Sequence, residues 1–171
     1  SNDGTFLGFK NETIANLGAY ASVFGTVTPT YLFGPCATGV YKMPAAYSNV
    51  KAVFTNTAPV DAYRGAGRPE ATFTIERLVE KAAVELGMDK TEIRMKNFPT
   101  EFPFQQTLVH SVDSGDYVAG MNKAKEMADY EGFEKRREES EAKGKLRGIG
   151  VTTYFEACGI APSAVVMSLG C

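Results

Sequence analysis

GAGRPEATFTIERLVEKAAVELGMDKTEIRMKNF, residues 65–98, reads as two helices in succession. Ala71, Ile75, Leu78, Val79, Ala82, Ala83 and Leu86 recur at helical spacing and define one apolar face. Pro69 suits the first helical turn, where its missing N–H costs nothing, and Gly87 supplies a left-handed cap at the end. Asp89 with Glu92 three residues later starts a short second helix that ends near Asn97, because Phe98 precedes Pro99.

Upstream, Phe6 to Leu17 alternates loosely and is expected to be a strand or a twisted pair of short strands. Gly25, Pro29, Gly34, Pro35, Gly39 and Pro44 punctuate residues 18–47, which argues against long regular elements there. Val50 to Asn56 is β-prone and is expected to stop at or before Ala58, since Pro59 follows. Downstream, Ser114 or Asp116 can cap a third helix reaching Tyr130. Glu131 to Lys145 continues it as a charged, solvated face. Leu146 to Phe155, with Ile149, Val151 and Thr153 on one parity, and Ser163 to Leu169 return to strand character. The expected architecture is α+β, a mixed or antiparallel sheet with a helical cluster. Residues 1–60 are strand-rich, 61–70 form a loop, 71–145 are helical and 146–171 are strand-rich. Strand-like runs at both ends suggest an excerpt of something longer, because unpaired terminal strands leave backbone groups seeking partners.

The 171 residues carry 18 Lys and Arg against 20 Asp and Glu, a net charge of −2 that offers no footprint for nucleic acid. No apolar run reaches membrane-spanning length, and Ser1-Asn2-Asp3-Gly4 lacks the basic and apolar regions of an export signal. Cys36, Cys158 and Cys171 are widely spaced without a CxxC pattern, so a reducing, cytoplasmic setting with buried, inert thiols is expected. His110 is the only histidine, which excludes a metal site built on two imidazoles and favours a hydrogen-bonded loop role. No GxSxG is present for serine hydrolysis. The sequon Asn11-Glu12-Thr13 is assigned no function.

Asp61-Ala62-Tyr63-Arg64-Gly65-Ala66-Gly67-Arg68-Pro69-Glu70-Ala71 is the segment unlike generic protein. Two glycines ahead of a helix start present backbone N–H groups, and two guanidiniums stand close by, so a phosphate or an anionic cofactor suits the turn. The alternative is a glycine turn with solvated arginines. It is neither a dinucleotide fingerprint, because Glu70 stands where the third glycine would fall, nor a P-loop, because no Lys-Ser/Thr follows. A free-standing anion-binding module without catalysis would use the same turn.

The string AYRGAGRPEA (62–71), preceded by TNTAPVD (55–61) and followed by IERLVEKAAVELGMDKTEIRMKNF (75–98), closely resembles the molybdenum-binding large subunit of the xanthine dehydrogenase, aldehyde oxidase and carbon monoxide dehydrogenase family. Asn16 to Tyr20, Tyr41 to Pro44 and Phe155 to Gly159 extend the resemblance, in order, over essentially the whole chain. The resemblance implies a hydroxylase that oxidises an aldehyde, an N-heterocycle or a similar small molecule at a molybdenum-pterin centre, with water as the oxygen source. The pterin is expected as the molybdopterin cytosine dinucleotide, with iron-sulfur clusters and FAD on partner subunits or domains.

By the same resemblance, the backbone of Arg64 meets the cofactor, Gly65 and Ala66 lie beside the metal, and Gly67 completes the loop. Ala66 stands where purine oxidisers carry a ring-sandwiching aromatic, Leu32 where they keep a substrate-orienting arginine, and Val151 near their second aromatic. Phe155 and Glu156 belong to the segment implied to line the substrate side. Gly65 replaces the copper-binding cysteine of carbon monoxide dehydrogenases, which places this chain in the cysteine-free branch. None of Glu70, Glu76 or Glu156 occupies the motif of the family's catalytic glutamate, which is expected outside these residues. The isolated 171 residues are therefore expected to be inactive.

Overall fold

A computed structural model describes residues 1–108, 110–154 and 156. Strand β1, Phe9–Asn16, turns Phe9, Asn11 and Ala15 inward and Lys10, Glu12 and Ile14 outward, the period-two pattern of a half-buried strand. It pairs in parallel with β2, Ala46–Val53, in a register running from Phe9↔Ala46 to Asn16↔Val53. Parallel neighbours need a long crossover. Here the glycine- and proline-rich stretch supplies it, with a π-helical turn at Thr28–Leu32 and a 3-10 turn at Gly34–Cys36.

Strand β2 begins four residues before the expected Val50, at Ala46, and ends at Val53 rather than running to Asn56. Pairing with β1 imposes the early start on a stretch whose own composition reads as loop. Beyond Val53 only isolated bonds continue the contact, such as Thr55 N to Gly18 O at 2.9 Å.

Helix α1, Arg68–Leu86, buries Ala71, Ile75, Glu76, Val79 and Ala83. Leu78 and Leu86 lie at the margin of that face and stay partly exposed. Gly87, with φ of 63°, closes the helix by donating to Ala83 O and Val84 O. Helix α2, Lys90–Lys96, follows directly, its N-terminus capped by the Asp89 side chain, which accepts from the amides of Thr91 and Glu92. At its other end Asn97 stitches the N-terminus of the chain to the core. Its Oδ1 accepts from Phe6 N at 2.8 Å, and its Nδ2 donates to Gly4 O and Ile93 O at 2.8 Å each.

A minimal antiparallel pair, β3 (Phe104–Gln105) and β4 (Ser111–Val112), lies between the expected end of the second helix near Asn97 and the start of the third, inside the region 71–145 grouped as helical. Sheet pairing among the described residues is thus mixed. Helix α3, Tyr117–Met127, is capped by Asp116, which accepts from Ala119 N. It stops three residues short of Tyr130 because Asp129 takes a left-handed conformation, φ 45°, and the Tyr130 hydroxyl turns to donate to Asp89 Oδ2 at 2.9 Å. Helix α4, Phe133–Glu141, is therefore separate, anchored by the buried Phe133 and Ser140, its remaining residues all charged.

Leu146 to Tyr154 forms no strand, a correction to the expected one. Its alternation is real: Val151 and Thr153 are half-buried while Thr152 and Tyr154 are exposed. Instead of entering a ladder, the amide of Thr153 donates to the Glu76 carboxylate. Phe155 and the expected strand Ser163 to Leu169 lie outside the described residues. The main core gathers Phe9, Val40, Tyr41, Met43, Ile75, Val79, Ile93, Phe98 and Met121 between β1, the crossover, α1, α2 and α3. No helix among the described residues is long and apolar enough to cross a membrane.

Candidate functional site

Three successive residues before α1 have positive φ: Gly65 at 106°, Ala66 at 40° and Gly67 at 89°. Glycine enters this region freely, whereas Ala66 is held there at a cost of about 1–2 kcal/mol. Gly67 is fixed by space as well as by φ. A Cβ on it would strike the Thr28 carbonyl oxygen and come within 2.9 Å of Phe33 N and 3.1 Å of the Leu32 carbonyl carbon. The loop therefore seats directly on the π-helical turn, with Phe33, Cys36 and Ala71 packed together in a second, smaller core.

This local path leaves amide donors without an acceptor among the described residues. Ala66 N bonds Tyr63 O at 2.8 Å and Arg68 N bonds Gly65 O at 3.1 Å. The amides of Gly65, Gly67 and Glu70 find no acceptor among the described residues. They sit at the N-terminus of a 19-residue helix, where the dipole favours negative charge. Arg64 and Tyr63 are exposed beside them, Gly65 and Ala66 are half-buried, and Gly67 is buried.

Behind the loop, four titratable groups converge. Arg68 Nε lies 2.6 Å from Glu156 Oε1, and Cys36 Sγ lies 3.4 Å from His110 Nε2. Burial pushes the Cys36 thiol up to about 11, Arg68 drawing it partly back and Glu156 raising it further. Burial also depresses the His110 imidazole below its ordinary 6.5, and the Arg68 charge lowers it more. Near neutrality this is a neutral thiol beside a neutral imidazole, not an activated nucleophile. Cys36 is the buried, inert thiol expected; Cys158 and Cys171 lie outside the described residues. Composition leaves a Cys-His pair open, but neither Cys36 nor Cys158 has a nucleophile context in the sequence, and the 74 residues between Cys36 and His110 hide which cysteine the imidazole meets.

Glu76 was also missed as a structural centre. It is 6% exposed and Arg94 fully buried, with Arg94 Nε donating to Glu76 Oε2 at 2.9 Å and Arg94 Nη1 donating to Lys90 O at 2.7 Å. The Tyr41 hydroxyl donates to Glu76 Oε1, and Thr153 donates to both oxygens, through Oγ1 at 2.8 Å and N at 3.1 Å. Burial, and then the adjacent Glu76 charge, hold the Tyr41 phenol far above its ordinary value. Burial works against the Arg94 charge, but Glu76 and its neighbours overcome that and raise its pKa. Removing one partner of such a buried pair costs about 3–5 kcal/mol. A glutamate between Ile75 and Val79 on the apolar face was the available signal.

Of the residues singled out from sequence, Leu32 lies beside Gly67 and Glu156 reaches the base of the loop through Arg68. Val151 packs against the main core. Phe155 is outside the described residues. No group of three or more His, Cys, Asp or Glu suited to a metal occurs among the described residues. What the loop does offer is a cradle of amides at a helix N-terminus, closed to any side chain at Gly67. That donor set fits a phosphorylated, anionic organic group rather than a bare cation.

Residues 1–98 match the family model described as the molybdopterin cofactor-binding domain, and the chain belongs to that family. It is 38% identical to the carbon monoxide dehydrogenase large chain of Hydrogenophaga pseudoflava over 98% of this chain and 22% of that protein. To the 6-hydroxypseudooxynicotine dehydrogenase complex subunit gamma of Paenarthrobacter nicotinovorans it is 36% identical, over 92% of this chain and 21% of that one. Among solved structures, quinoline 2-oxidoreductase from Pseudomonas putida 86 superposes with a TM-score of 0.81 at 34% identity, covering 90% of this chain and 20% of that one. The chain thus spans about a fifth of the length of the relatives it matches.

Proposed function

We propose that these residues are the part of a molybdenum hydroxylase large subunit that presents the Arg64-Gly65-Ala66-Gly67 loop to the pterin cofactor. The observation that carries this reading is the run of three positive-φ residues leaving free amides at the start of α1. When bound, the molybdenum-pterin group supplies the redox chemistry that inserts a water-derived oxygen into the substrate. The protein's own contribution here is to hold and shape. The amides of Gly65 and Gly67 would hold anionic or carbonyl oxygens of such a group, and Arg64 would add positive charge at the rim. Buried Phe33 and Ala71 exclude water from beneath the loop.

The side chains around the loop favour a substrate class. Gly65 has no thiolate for a soft metal such as copper, which disfavours carbon monoxide. Leu32 cannot make the bidentate contact that would orient a purine, and Ala66 leaves open the space an aromatic would fill. An aromatic N-heterocycle or an aldehyde is the class this leaves. The cytosine dinucleotide form of the pterin, iron-sulfur and flavin partner subunits and a cytoplasmic setting belong to the same proposal.

The test is the molybdenum and pterin content of the complete subunit, purified with its partners, for the wild type and for Gly67→Val. We expect stoichiometric cofactor in the wild type and a loss of at least about tenfold in the variant, because the added side chain must displace the loop from Thr28 and Phe33. A cofactor-free wild type that binds phosphate through Arg64 and Arg68 would instead support the anion-binding module.

A further inference from the structure

A groove runs along the open edge of β1. Its first half, about 750 Å³, lies between Phe9, Asn11 and Glu12 of the strand and Phe73, Leu78 and Val84 of α1. Its second half, about 490 Å³, continues past Thr13, Ala15 and Asn16 to Pro69 and Glu70 in the first turn of the helix. Phe73 and Thr74 line both halves, so the two join into one groove that follows the eight-residue strand. The apolar side chains on its helical wall are uncovered: Phe73 is 68% exposed, Val84 71% and Leu78 49%.

The strand side of the groove is a row of backbone donors. β1 is paired on one edge only, with β2. Phe9 N donates to Ala45 O and Leu17 N to Val53 O, so in this parallel ladder the odd-numbered amides face β2. The amides of Lys10, Glu12 and Ile14 therefore point to the open edge, and none finds an acceptor among the described residues. Two buried side chains that line the groove are in the same condition. Asn11, 8% exposed, accepts from Thr13 through Oδ1, while its Nδ2 has no partner among the described residues. Thr28, 7% exposed, has none there for Oγ1. Buried polar groups are almost always satisfied in native proteins, so these two mark contacts that the described residues leave incomplete.

An extended backbone answers both walls at once. Its carbonyls recur about every 7 Å along one edge, the spacing of alternate β1 amides, and every second side chain turns toward the helix. An α-helix has its carbonyls committed to itself and cannot accept from such a row. The curated relatives are some five times as long as this chain, so most of the polypeptide lies outside residues 1–171. A strand from that remainder is presented at high effective concentration, which a separate chain is not. We propose that the β1–α1 groove is a strand-accepting site, filled in the complete subunit by an extended segment of the same polypeptide from outside residues 1–171, with alternate apolar side chains against Phe73, Leu78 and Val84. The choice of occupant rests on the reading that these residues are part of a longer large subunit.

The experiment uses the complete subunit purified with its partners. Amide exchange is read residue by residue across 9–16 in the wild type, and molybdenum is measured on the same sample. A benzophenone-bearing phenylalanine then replaces Phe73 for photo-cross-linking. Lys10, Glu12 and Ile14 are expected to exchange at least about a hundredfold more slowly than free amides, in step with Asn11 and Thr13 on the paired edge. Irradiation should join position 73 to a segment of the same chain outside 1–171. Free exchange at Lys10, Glu12 and Ile14 beside protected Asn11 and Thr13 would overturn the proposal. So would a cross-link to a second copy, to a partner subunit or within 1–171, or none at all. A molybdenum-free complex with a protected edge would overturn the cofactor reading and uphold the strand, and a molybdenum-loaded complex with a freely exchanging edge would do the reverse.

Discussion

His110 and Cys36 show how a contact invisible along the chain changes what its members can do. The imidazole is depressed by burial and by Arg68, so the folded protein resists a proton that the unfolded chain accepts near the ordinary 6.5. The unfolded state therefore binds more protons just below that value, and stability rises with pH through the window. On His110's account, stability is full above 6.5 and declines as pH falls below it. Thermal midpoints at pH 7.5 and 5.5 should fall further in the wild type than in His110→Gln. An equal fall in both would show that His110 titrates normally. Gly67 was legible as a glycine turn from its neighbours, but the reason no other residue fits is the backbone of Thr28 and Phe33, some 35 positions away.

Helices were the most legible elements. The apolar spacing from Ala71 to Leu86, the Gly87 stop and the Asp89 start are all local signals, and the structure carries each of them. Asp89 caps α2 with two backbone acceptor bonds and also receives the Tyr130 hydroxyl. Asp89→Ala should therefore destabilise by about 1–2 kcal/mol, the upper part of the range for a lost N-cap, with Asp89→Asn recovering most of it. Urea denaturation would register this as a lower midpoint at unchanged slope. Strands were less legible because their partners decide them. Ala46 to Asn49 joins a strand only because β1 lies alongside, and Leu146 to Tyr154 has strand alternation but spends the Thr153 amide on a carboxylate. The split between α3 and α4 escaped notice because it depends on Asp129 and on a tertiary bond from Tyr130.

At the scale of the whole molecule, the α+β architecture and the family were both readable, since a glycine-arginine turn followed by two capped helices is a long, ordered pattern. The parallel pairing was not, because a parallel neighbour comes from far along the chain. A two-stranded parallel sheet is seldom left bare. Ile14, Tyr20, Tyr31, Phe54 and Tyr63 are more than half exposed, which suits a piece designed to be covered by further protein. The Gly65–Gly67 amides are proposed to face a molybdenum-pterin group. The most direct test is a crystal structure of the complete complex with anomalous data collected at the molybdenum edge. We predict a molybdenum peak beside Gly65 and Ala66, with pterin density within hydrogen-bonding reach of the Gly65 and Gly67 amides. Molybdenum located elsewhere, with this loop turned to solvent or holding only a simple anion, would contradict the account.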